Sequence, residues 1–520
     1  MVSTGDRSAP FQPALLAAIF ILAAAWMVFN AATLPIWYDE TITLLELAGN
    51  AAPIWVEGIL PAAEHREAFT GLSGYGELLD ALYHTDVHPP LYYIVALTWT
   101  KLFGVDLFAL RVLSSLFVLG AGLLLARAAA PRGRLTQAIT LFVFFAAPMT
   151  LWAAVNARDY GLALLLIAAG ILTSARELEK DDEAAGGRGS LRLISLTGLF
   201  GGLAFLTHYL SLLAFGPLFA VLALRRLRRA PLAVCAGSAL YALGGALAAP
   251  MLLKHLGARP DAFSGFEDLG TEVAALAVIL FGAMSEPAQE LWISLTQFLV
   301  FLALLSAGTV FAVLAWRRAP ADSAQAAGLY GFCVGLFVLF LVSDKSLAKA
   351  HGLDRYCVLM LPFLALVIGR VPGELRQGSK VLGNAAAALI VLLAAVTWWD
   401  GVLRKAQWTN GMRFSAVAQA LPEVGAERSI AVVPKGFGRG MPGTWAYELP
   451  PEMPMLVLFG KGELEALKSR IEDYDLFAFG DDLSGISLAK VADFKAELEA
   501  RGFTSDDGVV YRRIAGDAGS

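Results

Sequence analysis

Two short polar stretches carry the residue types that could do chemistry. Trp37-Tyr38-Asp39-Glu40 pairs two carboxylates, and Asp86-Val87-His88-Pro89-Pro90-Leu91-Tyr92-Tyr93 sets a carboxylate and an imidazole before a Pro-Pro corner. A carboxylate near a membrane surface is a candidate general base or metal ligand. The paired prolines fix an extended approach to whatever follows and hold His88 at a rigid corner. From there the imidazole could donate to a phosphate, or share a metal with Asp86. Simpler readings stand beside these. Acids favour the first turn of a helix, so Asp39 and Glu40 could mark a helix start, and His88 could be a surface imidazole on a turn.

Further candidates recur at the ends of apolar runs. Arg158, in Ala157-Arg158-Asp159-Tyr160, offers a permanent charge that can hold a phosphate bidentately. The alternative is an interfacial anchor, with Arg snorkelling and Tyr in the aromatic belt. His208-Tyr209 sits between two apolar runs, as a polar hairpin cap or as part of a site. Asp354-Arg355-Tyr356 follows Lys345, Lys349 and His351, a basic loop suited to an anionic headgroup or to anchoring. Arg111 opens another run and could reach the same headgroup, or pair with Asp106. Lys435-Gly436-Phe437-Gly438-Arg439-Gly440 resembles a phosphate-cradling loop, but Met-Pro-Gly follows where a dinucleotide fold needs a helix. Cys235, Cys333 and Cys357 lie far apart in apolar segments without metal-ligand spacing and read as buried small hydrophobes.

The elements that must position these groups are set by composition. The 520 residues are 57% hydrophobic and only 16% charged, against roughly 25% charge in a soluble domain. Mean hydropathy is +0.62. Apolar runs long enough to cross a bilayer recur from residue 14 to 399, as in a polytopic α-helical membrane protein. The net charge of −5 gives no basic surplus to neutralise a phosphate backbone, so nucleic-acid binding is set aside. The first run, Ala14–Ala32, exceeds the core of a signal peptide and reads as a retained helix.

Orientation follows Lys and Arg in short loops. Basic clusters at Arg127/Arg132/Arg134, Arg176–Arg192, Arg225–Arg229, Arg317-Arg318 and Arg370–Lys380 can all face the cytoplasm if the runs between them pair as hairpins. This predicts about eleven transmembrane helices, at 14–34, 107–128, 136–154, 159–175, 191–207, 210–224, 231–254, 289–315, 324–342, 355–370 and 381–399. The N-terminus is then cytoplasmic, the C-terminus extracytoplasmic, and the protein a multi-pass component of the inner (plasma) membrane. Val87–Phe103 would break that scheme as a span, so it is predicted to lie along or dip into the outer face, and 271–284 is read similarly. The first outer loop, 35–106, is long enough to be functional and holds candidate amphipathic helices at 40–50 and 75–84.

After Trp399 charge and turn residues increase. Residues 1–400 are therefore read as the transmembrane domain and 401–520 as a small extracytoplasmic α/β domain. Strands are predicted at Ser429–Val433, Met455–Phe459, Asp475–Phe479 and Val509–Arg512. A helix is predicted at Leu488–Arg501, with Leu488, Val491, Phe494 and Leu498 on one face and Gly502 as its C-cap.

Taken in order, Trp-Tyr-Asp39-Glu40, Asp86-x-His88-Pro-Pro-Leu-Tyr-Tyr, Leu-Phe-Gly104 with Leu-Arg111, Ala-Arg158-x-Tyr160, His208-Tyr209 and Arg355-Tyr356 with Pro362 resemble the bacterial family 39 glycosyltransferases. These belong to the GT-C superfamily, with the protein O-mannosyltransferases and the aminoarabinose lipid A transferases. The resemblance covers about residues 14–400. It implies a membrane enzyme that moves a sugar from a polyprenyl-phosphate-linked donor to a lipid, glycan or protein acceptor on the outer face. It also implies that Asp39, with Glu40 beside it, is the catalytic acid of the first outer loop, and that Asp86 and His88 belong to the same site. Arg111, Arg158, Tyr160, His208, Arg355 and Tyr356 would bind the lipid phosphate or sugar. Asp159 departs from the apolar residue common at that position. Some relatives bind a divalent metal, but no ligand set carries over. The competing class is a carrier that flips a lipid-linked sugar or exports a polysaccharide; it should place its charges near the membrane midplane.

Overall fold

The computed structural model describes residues 11–51, 55–180, 187–258, 306, 310, 320–343, 357–403, 411–434, 441–459, 462–480, 488–506 and 508–513. Two compact units emerge. One comprises Met1–Ala32, Asp86–Tyr92 and Arg111–Arg404, and the other Thr33–Thr85, Tyr93–Leu110 and Lys405–Ser520.

The first unit is helical throughout. A backbone in lipid has no water to bond with, so apolar runs must satisfy their own amides as helices. Six described helices have the length and composition to cross a membrane, and a seventh span is possible if one bent pair is counted. The protein is thus a multi-pass helical membrane protein; the described residues do not extend to the predicted count of eleven. The run 271–284 and nearly all of 289–315 lie outside them. The single span predicted at 136–154 is instead two helices, Arg134–Ala146 and Pro148–Ala154, bent by 68°. Pro148 causes the break. It supplies no amide hydrogen and forces the preceding Ala147 to φ −65°, ψ 121°.

Without a hydrophobic drive between helices in lipid, close backbone approach has to hold them together. Gly198 and Gly202, four apart on Arg188–Thr207, meet Gly237 and Gly244 on Pro231–Ala258 so closely that no side chain fits between the backbones. At the basic helix ends, a buried ion network replaces water. Asp322 pairs with Arg132 and, at 3.0 Å, with Arg370, which also reaches Glu374 at 3.3 Å. Glu177 pairs with Lys180 at 2.7 Å and Arg226 at 3.3 Å. These groups close the ends of five separate helical segments that the charge pattern assigns to one membrane side.

The second unit is built on a six-stranded sheet in the order β1-β3-β2-β4-β6-β5. The strands are β1 (Ile59–Pro61), β2 (Ser429–Pro434), β3 (Pro454–Leu458), β4 (Leu476–Phe479), β5 (Phe503–Thr504) and β6 (Val510–Arg513). Strands β3, β2 and β4 are parallel, whereas β1, β6 and β5 join antiparallel. The central strands are apolar on both faces, as buried parallel strands must be. Ala431 and Val433 face one core with Trp445 and Met455, and Ile430 and Val432 face the other with Phe477 and Phe494. Four strands and the Leu488–Ala500 helix fall where the periodicity predicts, and Gly502 ends that helix at φ 84°.

One feature was not predicted. The edge strand β1 comes from the loop of residues 35–106, pairing Leu60 with Met455. That loop and 93–110 therefore group with the C-terminal segment, whereas the composition shift would cut the chain once, near residue 400. Leu91–Phe103 is a helix of 13 residues, about 20 Å long and too short to span.

Candidate functional site

In the first unit, the Pro-Pro corner brings the acid and imidazole of one stretch together. Asp86 Oδ1 lies 2.7 Å from His88 Nδ1 and also accepts the Val87 amide at 2.6 Å. The chain re-enters a helix only at Leu91, so the three polar groups gather in a tight non-helical turn. Burial alone would raise the Asp86 carboxyl. The nearby His88 and Arg158 outweigh burial and hold it well below the ordinary carboxylate range. Asp86 is therefore an anion in this setting, and His88 gives it the Nδ1 proton.

Arg158 Nη2 lies 3.0 Å from His88 Nδ1 and 3.1 Å from Nε2. A nitrogen equally close to both ring nitrogens must sit over the ring face, since in the ring plane it would collide with the carbon between them. The guanidinium is 1% exposed. It enters from a non-helical turn, directly before the Tyr160–Leu178 helix, where Asp159 and Tyr160 are also buried. Tyr160 packs its ring on His208, with centroids 5.5 Å apart, and His208 Nδ1 accepts the Leu210 amide at 3.2 Å. Tyr209 and His255 share a hydrogen bond of 3.2 Å between hydroxyl and Nδ1. Burial, with a smaller contribution from Asp86, raises the Tyr209 hydroxyl above its ordinary value, so it stays protonated.

His255 escaped the sequence reading. It is a single imidazole in the last turn of the apolar Pro231–Ala258 helix, and only its Tyr209 neighbour would have pointed to it. Arg111 is 2% exposed and donates to the Ala31 carbonyl at 3.2 Å. That carbonyl is one of the last in the Phe11–Thr33 helix, where a cation satisfies orphan acceptors and the helix dipole together. Arg355 and Tyr356 lie outside the described residues.

In the second unit, Asp39 and Glu40 open the Tyr38–Leu47 helix, as acids favour. They differ in what they do there. Glu40 is 1% exposed and its Oε2 accepts the Trp37 amide at 2.9 Å, closing the first turn. Asp39 is half-buried on the same turn. Among the described residues no group of three or more His, Cys, Asp or Glu gathers as a metal site.

Fold and site together describe a polytopic helical membrane protein with a small mixed α/β unit and a carboxylate–imidazole–guanidinium group at one end of a membrane-length helix. Searches of family models and of curated proteins give no match. Among solved structures, apo ArnT from Cupriavidus metallidurans is similar at a TM-score of 0.52 and 13% identity, over 97% of this chain and 99% of that one. The same protein bound to undecaprenyl phosphate gives a TM-score of 0.49 at 14% identity, over 97% and 99%. Oligosaccharyltransferase AglB from Archaeoglobus fulgidus, in complex with an inhibitory peptide and a dolichol-phosphate, gives 0.42 at 11% identity, over 98% and 75%. The overall fold is therefore similar to that of apo ArnT.

Proposed function

We propose that this chain is a glycosyltransferase of the inner membrane, resembling family 39, that moves a sugar from a polyprenyl-phosphate-linked donor to an acceptor on the extracytoplasmic face. The observation that carries this reading is the Arg158 group: a fully buried guanidinium over His88, which is itself tied to the Asp86 anion, at the end of a membrane-length helix. A lipid-linked phosphate needs such a place, with its tail in the bilayer and its charge at the surface. A carrier would instead need ionised groups near the middle of its spans. In the Tyr160–Leu178 helix the ionised groups stand only at the two ends.

In this reading the acceptor hydroxyl attacks the anomeric carbon while Asp39 removes its proton. The bond from that carbon to the phosphate oxygen breaks, and the polyprenyl phosphate leaves with the electron pair. The configuration inverts. Arg158, with Arg111 and Arg355, offsets the charge that grows on the leaving phosphate, where fixed cations in a dry site act most strongly. His88, with its Nδ1 proton committed to Asp86, presents Nε2 and its ring to Arg158 and keeps the guanidinium in place. Glu40 holds the turn that carries Asp39. Tyr160 and His208 form an aromatic wall suited to a sugar ring. The test is transfer from synthetic undecaprenyl-phosphate sugars by the protein in nanodiscs, with Asp39→Asn as control. Turnover by native protein that Asp39→Asn abolishes supports the reading; Asp39→Asn at the native rate removes Asp39 as base.

A further inference from the structure

We infer that Glu448 and Thr444, over four hundred residues downstream of Asp39, are positioning residues that hold its turn. The inference rests on the reading of Asp39 as base. Two contacts bracket that residue. The Ile36 amide donates to Glu448 Oε1 at 2.6 Å, three residues before Asp39. Thr41 and Thr444 share a hydroxyl–hydroxyl bond of 2.9 Å, two residues after it, and both are buried.

Left to itself the Asp39 helix has little to keep it formed. Tyr38–Leu47 has 10 residues, fewer than the roughly 12–15 at which an isolated helix becomes even marginal in water. Its N-terminal cap is Trp37, whose side chain makes no cap hydrogen bond. Glu40 closes one amide from inside, Thr85 and Ser73 bond the far end at Glu46 and Leu47, and Met441–Glu448 supplies restraint on both sides of Asp39. That helix is fixed in turn by the first loop. Arg66 donates to the Ala446 and Tyr447 carbonyls at 2.6 and 2.9 Å and also to Leu449. Gly443 has no room for a side chain, because a methyl there would lie 2.7 Å from Phe69 and 2.8 Å from Thr41. The β1–β3 pairing closes the same loop onto the same segment. Loop and C-terminal segment thus hold each other reciprocally, and Asp39 lies within the turn they clamp. A misplacement of about 1 Å at a reacting group can cost on the order of 10²-fold in rate, so a clamp of this kind acts on turnover more than on donor affinity.

The experiment uses the full chain in lipid nanodiscs and follows amide exchange of peptides covering residues 34–47. Glu448→Ala and Thr444→Val should each speed exchange there by about tenfold or more. Glu448→Gln and Thr444→Ser, which keep the acceptor and the hydroxyl, should restore the native pattern. Arg428→Ala, which breaks a surface pair with Asp475, controls for general loosening and should leave these peptides unchanged. With an undecaprenyl-phosphate sugar that supports turnover, the two disruptive variants should lower kcat about tenfold at near-constant KM. Native exchange in both disruptive variants overturns the inference, as does equal loosening in Glu448→Gln or Arg428→Ala. Thr444→Val serves alone if Glu448→Ala does not fold. Asp39→Asn keeps the clamp, so native exchange with native turnover in that variant would remove the catalytic reading and leave the clamp standing.

Discussion

Arg158 lies over the imidazole face of His88, 3.0 and 3.1 Å from its two ring nitrogens, and the Nδ1 edge of that ring is tied to Asp86 at 2.7 Å. A buried cation is tolerated only when it is paired and well bonded. Here the anion reaches it through an aromatic ring. Planarity matters to that arrangement. Arg158→Lys should therefore behave almost as poorly as Arg158→Ala, since an ammonium neither stacks on a ring nor grips phosphate bidentately. Both should weaken binding of undecaprenyl phosphate by about tenfold or more, read by competition with a labelled lipid phosphate; tight binding by Arg158→Lys would exclude the fork as the phosphate contact.

Asp86 gives a pH dependence of definite sign. Its folded-state carboxyl titrates well below the ordinary value. The stability it contributes is complete above its unfolded value near 4 and is lost as pH falls through the depressed folded value. The melting temperature of Asp86→Asn should lie below native above about pH 5, begin to converge on it below about pH 4, and meet it only once pH has fallen through the depressed folded value. A gap that persists at the acid end would mean that the charge is not what holds the turn.

Asp322 is the anion at the centre of the buried network with Arg132 and Arg370, 2% exposed. Removing it leaves two guanidinium groups without that partner in a dry helix-end environment. Loss of one member of a buried pair typically costs about 3–5 kcal/mol. Asp322→Ala should lower thermal stability in detergent markedly, whereas Arg512→Ala, at an exposed pair with Glu423, should change it by under about 1 kcal/mol.

Gly202 tests the packing of the membrane unit. A side chain there would press on the Leu240 carbonyl and on Gly244. Gly202→Val should separate the two helices and reduce the yield of folded protein, while Gly245→Ala, which meets nothing nearby, should be neutral by the same thermal assay.

Much of this architecture was legible in order along the chain. Apolar runs must become helices in lipid whatever their neighbours do, short apolar runs marked Ser429–Pro434 and Leu476–Phe479, and an apolar face at helical spacing marked the helix over Leu488–Ala500. The candidate residues Asp39, Asp86, His88 and Arg158 stood out along the chain because charge beside an apolar run is costly without a use.

What tertiary structure decided was who meets whom. No local signal marks Ile59–Pro61 as a strand, because three residues acquire that identity only from pairing with Pro454–Leu456. Glu40 and Asp39 look alike in sequence, yet the helix-start geometry commits Glu40 to the Trp37 amide. His255, a lone imidazole in an apolar run, becomes a candidate only beside Tyr209. The division is physical: hydrophobicity and backbone propensity act over a few residues and can be read along the chain, whereas a hydrogen bond between Ile36 and Glu448 exists only once folding has closed the chain between them.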